Sequence, residues 1–445
     1  MKYFFIGIAG AGMSAIAQYL KGKGHEISGS DRVFLKPEGN DTREKLQNLG
    51  IRCYAQGETV PDKTTDFVVV STAIEDSVPE YKFAKDNNIK TIHRSDLLAE
   101  ICGQNKTIAV SGTSGKSTTT AMIFTMLDKC GYSPSLISGA GLTELQEKGL
   151  IGNAYVGKSD FLVIETDESD GTIVKYHPEI GLILNIDKDH KEIKDLLPLF
   201  QTFADHTKNT LIVNTGNKYS KQFSKSPQHD FNQSLATDFA QTLSGISFKY
   251  KSTDIKLPII GKHNMENALA AIVTGEALGL NIADIAKALA QYRGIYRRST
   301  IIKSQNDITI IDDFAHNPAK IHAAISSCQI ISKRVIAWFQ PHGFAPTKLM
   351  KDELIEKLSQ LLRPQDIIIF SKIYYAGGTA DQTVTAEDFI LPLTQNGKKA
   401  YYIPEREDII PMLKKEITQS DIILLMGARD PSLSTFAEKV SKEIF

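Results

Sequence analysis

A glycine-rich turn between a strand-like run and a helix-like run constrains this chain more than any other feature. The apolar run ends at Val110, the turn occupies residues 112–117, and the helical pattern continues to Cys130. In such a turn, backbone N–H groups and the helix N-terminus surround an anion. Lys116 reaches the outer phosphates, and the Ser117 hydroxyl can ligate Mg²⁺. The standard eight-residue pattern has Gly where Val110 stands. This shorter form still predicts an ATP and Mg²⁺ site, with an ordinary glycine-rich turn as the alternative.

Length and composition limit the class of protein. A chain of 445 residues exceeds what one hydrophobic core usually serves, so we expect two to three domains. With 51 basic and 52 acidic side chains, the chain is a poor match for nucleic acid or a membrane surface. Four scattered cysteines without a C-x-x-C pair, and an N-terminus unlike a signal peptide, predict a cytoplasmic protein without structural zinc. We expect a monomer or homodimer.

The first segment has a β-α-β pattern. A strand over Tyr3–Ile8 leads into a glycine turn and a helix to about Lys23, and a second strand ends at Asp31. An acidic residue at that place is typical of nucleotide-binding folds, although the glycine spacing departs from G-x-G-x-x-G. We therefore predict a Rossmann-like domain over residues 1–100. A tight turn without a ligand is the alternative.

The second segment, residues 101–296, contains the phosphate loop and two apolar runs that end in polar clusters. The strands predicted at 161–164 and 180–185 are followed by residues 165–170 and 185–190. Ligands of open parallel sheets bind at the carboxyl ends of the strands, so both clusters are candidates for Mg²⁺ and phosphate chemistry. The alternative is that the acidic residues cap helices.

The third segment, residues 297–445, alternates apolar runs with helical stretches, which again predicts an α/β domain. Its strands are expected at 308–311, 334–338, 366–370 and 421–426. The predicted fold class is therefore α/β with three domains: Rossmann-like, central P-loop ATPase-type, and C-terminal Rossmann-like.

Seven stretches of this chain, in this order, resemble those of the Mur ligases, and the resemblance covers nearly the whole chain. They are Gly7–Ser14, Gly112–Ser117, Glu165–Asp170, Asn185–His190, Gly261–Asn267, Asp312–His316 and Phe339–His342. The resemblance is strongest to the alanine-adding members.

The resemblance implies an ATP-dependent ligase of peptidoglycan precursor synthesis. It would join an amino acid, L-alanine favoured, to the carboxylate of UDP-N-acetylmuramate through an acyl phosphate. Two alternatives stay open: a recycling-type ligase that adds a short peptide, and a non-ligating paralogue that binds nucleotide sugars. An NAD-dependent oxidoreductase is suggested by the first domain alone and leaves the phosphate loop unexplained.

The resemblance also implies site residues. ATP would contact Gly112, Thr113, Ser114, Gly115, Lys116, Ser117, Thr118, His263, Asn264, Asn267 and Asp313. The UDP-sugar would contact Gly10, Gly12, Met13, Ser14, Asp31 and Ser71. The catalytic residues would be Lys116, Glu165, His190 and Arg298, with Arg298 acting on domain closure. The metal would be held by Ser117, Glu165 and His190, and the amino acid by His316 and His342. Plain alternatives are a packing role for His263, a turn at Asp312-Asp313 and a solvated hinge at Arg297-Arg298.

The chain departs from the family pattern in three places, and the third concerns substrate choice. Ser114 stands where the alanine-adding members usually have His, and Lys191-Glu192 replaces Leu-Asp. Gly343 and Pro346 occupy two positions that typically carry arginine. Neither can replace a bidentate guanidinium on an anionic group. We therefore expect an intact ATP site and weak use of free L-alanine, unless another cation such as Lys348 compensates.

Overall fold

The computed structural model describes residues 1–188, 191–225, 227–375 and 383–445, which form two compact units. Unit 1 comprises Met1–Phe239, Ser247–Pro258 and Asn264–Ile295, and unit 2 comprises Ala240–Ile246, Ile259–His263 and Tyr296–Phe445. Among the helices in these ranges, none combines the length and the apolar character needed to cross a membrane.

The N-terminal part of unit 1 is a parallel sheet in the order β3-β2-β1-β4-β5. Its strands are β1 (Lys2–Ile6), β2 (Glu26–Asp31), β3 (Arg52–Ala55), β4 (Phe67–Val70) and β5 (Thr91–His93). Its helices are α1 (Ala11–Gly22), α2 (Asn40–Asn48), α3 (Pro79–Asp86) and α4 (Arg94–Gly103). Phe5 and Phe4 pack into different apolar clusters because alternate side chains point to opposite faces. The strand order reverses between β1 and β4, where such sheets open a ligand crevice.

The central part of unit 1 is a second sheet, in the order β11-β10-β6-β9-β7-β8, with β8 antiparallel at one edge. Its strands are β6 (Lys106–Ser111), β7 (Ser135–Ile137), β8 (Ala154–Tyr155), β9 (Phe161–Glu165), β10 (Ile180–Ile183) and β11 (Thr210–Val213). A further sheet is formed by β12 (Ala236–Thr242), β13 (Gly245–Tyr250) and β14 (Thr253–Leu257). The helices of this region are α5 (Lys116–Lys129), α6 (Thr143–Gln146), α7 (Ile193–His206), α8 (Lys262–Ala277) and α9 (Ile282–Leu289).

Unit 2 is built on a sheet in the order β15-β16-β20-β17-β18-β19, parallel except for β15. The strands are β15 (Thr300–Gln305), β16 (Ile308–Asp313), β17 (Arg334–Gln340), β18 (Ile367–Phe370), β19 (Lys399–Tyr402) and β20 (Asp421–Gly427). The helices are α10 (Pro318–Ile331), α11 (Phe344–Leu361), α12 (Ile390–Gln395), α13 (Ile409–Glu416) and α14 (Leu433–Ile444). Along β17, Phe339 and Trp338 enter separate cores on opposite faces, so both faces of this sheet are buried.

The predicted α/β class and three-domain architecture are confirmed. The boundaries at residues 100 and 296 stay predictions, and the first two predicted domains share unit 1. Within unit 1 they are joined by a buried polar network around Asn153, which is 3% exposed. Its Nδ2 donates to Ser14 Oγ (3.0 Å), and its Oδ1 accepts from Gln18 Nε2 (2.8 Å).

Candidate nucleotide and substrate sites

The phosphate loop connects β6 to α5, as its sequence predicts. Gly112 and Gly115 have φ of +140° and +84°, a region that L side chains rarely adopt. A Cβ on Gly115 would lie 2.5 Å from Asn267 Oδ1, so the loop also requires glycine there for space. Gly115 precedes Lys116, the first residue of α5, and so places the helix N-terminus next to the lysine. This geometry suits a phosphate group, because the first N–H groups of a helix have no partner within the helix and the helix dipole is positive at that end, so both favour an anion.

Two carboxylates from the cluster after β9 contact the loop. Glu165 Oε2 accepts a hydrogen bond from Ser117 Oγ at 2.5 Å, so two oxygen donors proposed for Mg²⁺ lie together. Glu168 accepts from Lys116 Nζ; it belongs to the predicted cluster 165–170, but no individual role was predicted for it. Its side chain is 6% exposed, and burial raises its pKa even though the Lys116 charge opposes that shift. His190, predicted as the third metal ligand, lies outside the described residues.

Asn185 fixes the loop from the neighbouring strand. Its Oδ1 accepts from Thr113 Oγ1 (2.9 Å) and from the Ser114 N–H (2.8 Å), and its Nδ2 donates to the Ser114 carbonyl (3.0 Å). Because β10 pairs with β6, an amide side chain just beyond β10 reaches the turn after β6. Asn185 belongs to the stretch Asn185–His190 that resembles the family, but no local pattern indicates this positioning role.

Three predicted ATP residues lie at the start of α8. Asn267 Oδ1 accepts from Thr119 Oγ1 (3.3 Å), and Asn267 Nδ2 donates to Asn264 Oδ1 (3.0 Å). These contacts bring Asn264 and Asn267 to the side of the phosphate loop. His263 belongs to unit 2, where its ring lies against Gly261.

The glycine turn after β1 lies at the strand-order reversal. Gly7 has φ of +84°, and the Asp31 carboxylate accepts from the backbone N–H groups of Ala9 and Val33, both at 2.9 Å. Asp31 therefore holds the turn itself. Ser71 follows β4, the neighbour of β1, so the predicted residues Gly10, Gly12 and Ser71 share one edge of the sheet.

Two predicted residues of this turn face inward. Met13 packs in the apolar core, and Ser14 is 1% exposed with its hydroxyl donating to the Ala11 carbonyl. A cation that sequence reasoning missed lies beside the turn: a Cβ on Gly12 would be 2.5 Å from Arg94 Nη1. Arg94 is the first residue of α4 and directly follows β5, so it lies at the same edge of the sheet.

In unit 2, side chains gather after β16 and β17. His316 Nδ1 donates to the Phe314 carbonyl (2.8 Å), and the rings of His316 and His342 are 5.6 Å apart. Burial, with a contribution from nearby cations, lowers the pKa of His316 to about 3 and of His342 to about 4. Both histidines are therefore neutral at pH 7. The Arg298 guanidinium lies 5.2 Å over the Phe314 ring.

Two of the plain structural roles considered above, a turn at Asp312-Asp313 and a solvated hinge at Arg297-Arg298, are wrong. Asp312 and Asp313 belong to β16, so they are not a turn. Asp313 Oδ1 and Oδ2 accept from the N–H groups of Ala315 and Ser299, each at 2.7 Å. Arg297 is 6% exposed and donates two hydrogen bonds to Asp312, so it is no solvated hinge.

Fold and sites together define a three-domain α/β protein organised around a phosphate-binding loop. Family models match it in three consecutive stretches: "Mur ligase family, catalytic domain" over residues 2–106, "Mur ligase middle domain" over 110–275, and "Mur ligase, glutamate ligase domain" over 297–429. The chain is 33% identical to a UDP-N-acetylmuramate–L-alanine ligase of Pelotomaculum thermopropionicum, over 96% of this chain and 94% of that one. It is also 33% identical to that of Thermosynechococcus vestitus, over 96% and 92%. The chain belongs to the Mur ligase family.

Solved structures share the fold. A UDP-N-acetylmuramate–alanine ligase of Thermotoga maritima matches with a TM-score of 0.79 and 24% identity, covering 99% of each chain. A murein peptide ligase of Psychrobacter arcticus matches with a TM-score of 0.66 and 20% identity, covering 100% of this chain and 98% of that one. At these identities the likeness concerns the fold alone.

Proposed function

We propose that this protein is an ATP-dependent ligase that joins L-alanine to UDP-N-acetylmuramate in peptidoglycan precursor synthesis. The γ-phosphoryl group of ATP passes to the substrate carboxylate, and the amine then displaces phosphate to form the amide. The observation that carries the proposal is the loop of Lys116 and Ser117 with Glu165, in a chain that aligns with alanine-adding relatives over 96% of its length. Phosphoryl transfer of this kind needs positioning and charge neutralisation rather than a protein nucleophile.

The residues of unit 1 fit ATP with Mg²⁺. Gly115 turns the loop with φ of +84° directly before α5, and Ser117 and Glu165 offer the oxygen donors that Mg²⁺ prefers. Within the described ranges, no group of three or more His, Cys, Asp or Glu is arranged to hold a metal ion. Phosphate and water oxygens, with His190 as a further candidate, would therefore complete the shell. When bound, Mg²⁺ neutralises phosphate charge, so EDTA should abolish activity and added Mg²⁺ should restore it.

Roles for the other predicted residues follow from their positions. We assign Gly10, Gly12 and Ser71, together with Arg94, to the UDP-sugar, because they share the sheet edge at which the strand order reverses between β1 and β4. A guanidinium beside a glycine turn suits a diphosphate. We place the reaction in the cytoplasm, where the four free cysteines would remain reduced.

A second candidate is addition of a short peptide in place of L-alanine. It is favoured by Gly343 and Pro346, which leave two typical arginine positions without charge. The deciding experiment incubates the protein with ATP, Mg²⁺ and UDP-N-acetylmuramate, and offers single amino acids and short peptides in turn. Mass spectrometry should detect the amide formed between UDP-N-acetylmuramate and the amino group of L-alanine. Amide formed only from peptides would favour the second candidate, and absence of any amide would indicate a non-ligating paralogue.

A further inference from the structure

Arg429 is the one arginine of unit 2 without a partner among the described residues, and it is exposed. The other arginines of this unit each contact an aspartate or an aromatic ring: Arg297, Arg298, Arg334, Arg363 and Arg406. Neither an ion pair nor a ring contact therefore accounts for an arginine at position 429.

The backbone at Arg429 is strained. Its φ is +63°, in the left-handed region that favours glycine. The turn is fixed on both sides: Ala428 and Asp430 are buried, the Asp430 N–H donates to the Ala428 carbonyl (2.8 Å), and the Asp430 carboxylate accepts from Arg406 Nη1 (2.8 Å). A strained residue with an exposed, unpaired charge points to function rather than to stability.

Arg429 also lies at the ligand-binding edge of the sheet. It follows β20, the strand between β16 and β17, while His316 follows β16 and His342 follows β17. His316, Arg429 and His342 therefore each lie two or three residues beyond the ends of three adjacent strands, at the edge where open parallel sheets bind ligands.

The chemistry of this group suits a carboxylate. Burial and the Arg429 charge lower the pKa of His342 to about 4, so its ring is neutral. His342 Nδ1 is buried and has no hydrogen-bond partner in the described part of the chain. A carboxylate could accept from the guanidinium in a bidentate manner and from the imidazole N–H, which would satisfy both groups.

We propose that Arg429 binds the carboxylate of the amine substrate and supplies the cation that Gly343 and Pro346 lack. The inference rests on the proposed function. Gly343 has φ of +69°, so an arginine there would itself be strained. Lys348, the compensating cation considered from the sequence, has its Nζ 3.4 Å from Thr383 Oγ1.

The test compares Arg429→Gly and Arg429→Lys with the wild type in steady-state amide formation. Arg429→Gly should raise the KM for L-alanine roughly ten- to a hundredfold, as expected for a lost charge-assisted contact, and leave the KM for ATP and kcat unchanged. Its melting temperature should stay equal or rise, because glycine suits the left-handed backbone. Arg429→Lys should restore part of the affinity, and Lys372→Ala, an exposed cation paired with Glu405, is the matched control.

A second readout uses L-alaninamide, which lacks the carboxylate. The wild type should prefer L-alanine, and Arg429→Gly should lose that preference. The assignment of Arg429 would be overturned if Arg429→Gly left the KM for L-alanine unchanged, or if Lys348→Ala raised that KM instead. Either result would leave the proposed function intact. Absence of amide from every amine in the wild type would overturn the proposed function, and this inference with it.

Discussion

Lys116 Nζ lies 2.8 Å from Oε2 and 3.0 Å from Oε1 of Glu168, and 2.7 Å from the Gly112 carbonyl. The cation of the phosphate loop is thus neutralised by a buried carboxylate. A phosphate bound by Lys116 would compete with Glu168 for the N–H donors of the lysine, so we expect the ion pair to oppose nucleotide binding while it orients the lysine.

Removing the Glu168 charge should strengthen nucleotide binding. We expect Glu168→Gln to bind a non-hydrolysable ATP analogue roughly ten- to a hundredfold more tightly, because a charge-assisted bond of about 1.5–3 kcal/mol no longer competes. Isothermal titration measures this. Glu144→Gln is the control, since Glu144 pairs with Lys129 at the other end of α5. Weaker binding by Glu168→Gln would show that the carboxylate assists the phosphates.

Lys116 should be required for phosphoryl transfer. Lys116→Ala removes the side-chain charge of the loop, and we expect a rate loss of about a hundredfold or more, as for other preorganised electrostatic groups. Amide formation from ATP is the measurement, with Lys129→Ala in the same helix as control. Near-normal turnover by Lys116→Ala would contradict the assignment of the phosphate loop.

The cost of steric crowding at Gly115 can be measured separately from the cost of its left-handed backbone conformation. Gly115 and Gly24 have φ of +84° and +87°, but a Cβ on Gly24 would meet nothing within 4 Å. Gly24→Ala should cost about 1 kcal/mol of unfolding free energy through backbone strain alone. Gly115→Ala should cost more and weaken ATP binding, because its Cβ meets Asn267. If Gly115→Ala and Gly24→Ala lose the same unfolding free energy, and Gly115→Ala still binds ATP normally, the contact of the Cβ with Asn267 has no such role.

The buried ion pair of Arg297 and Asp312 should stabilise unit 2. Their side chains are 7% and 3% exposed, and Arg297 also donates to the Gly427 carbonyl. Asp312→Ala should lower the unfolding free energy by about 3–5 kcal/mol, because it leaves a buried unpaired guanidinium. Urea unfolding followed by the fluorescence of Trp338, the single tryptophan, reports on this unit.

The control for that pair is Glu405→Ala. Lys372 and Glu405 are both 59% exposed, so breaking their ion pair should cost less than about 1 kcal/mol. Similar losses for Asp312→Ala and Glu405→Ala would refute the argument from burial.

His316 and His342 should make unit 2 less stable in acid. The folded pKa values are about 3 for His316 and about 4 for His342, below the usual 6.5. Between each folded value and pH 6.5, the unfolded chain therefore binds more protons than the folded protein. Stability is then full above pH 6.5 and falls as the pH drops towards the folded values, by at most about 1.4 kcal/mol per pH unit for each histidine. His342→Gln should show a shallower fall between pH 6.5 and 4 in Trp338 melting curves. An unchanged slope would contradict the low pKa.

Much of the fold follows from local sequence patterns. The predicted strand over 308–311 is observed as β16 at Ile308–Asp313, and the helix predicted to reach Cys130 ends at Lys129. Apolar runs buried on both faces and glycines between strand and helix are signals carried by neighbouring residues. For the same reason the phosphate loop, with Lys116 and Ser117, could be predicted as a unit.

The sequence by itself determined the α/β class, the phosphate loop and the family resemblance, because each depends on residues close together in the chain. Tertiary structure decided which distant side chains meet: Glu168 with Lys116, Asn185 with Thr113, and Arg429 at the strand end between His316 and His342. Strand order sets these contacts, and the order β16-β20-β17 joins segments more than eighty residues apart. Burial likewise set the low pKa values of the histidines, since desolvation depends on packing that no local pattern encodes.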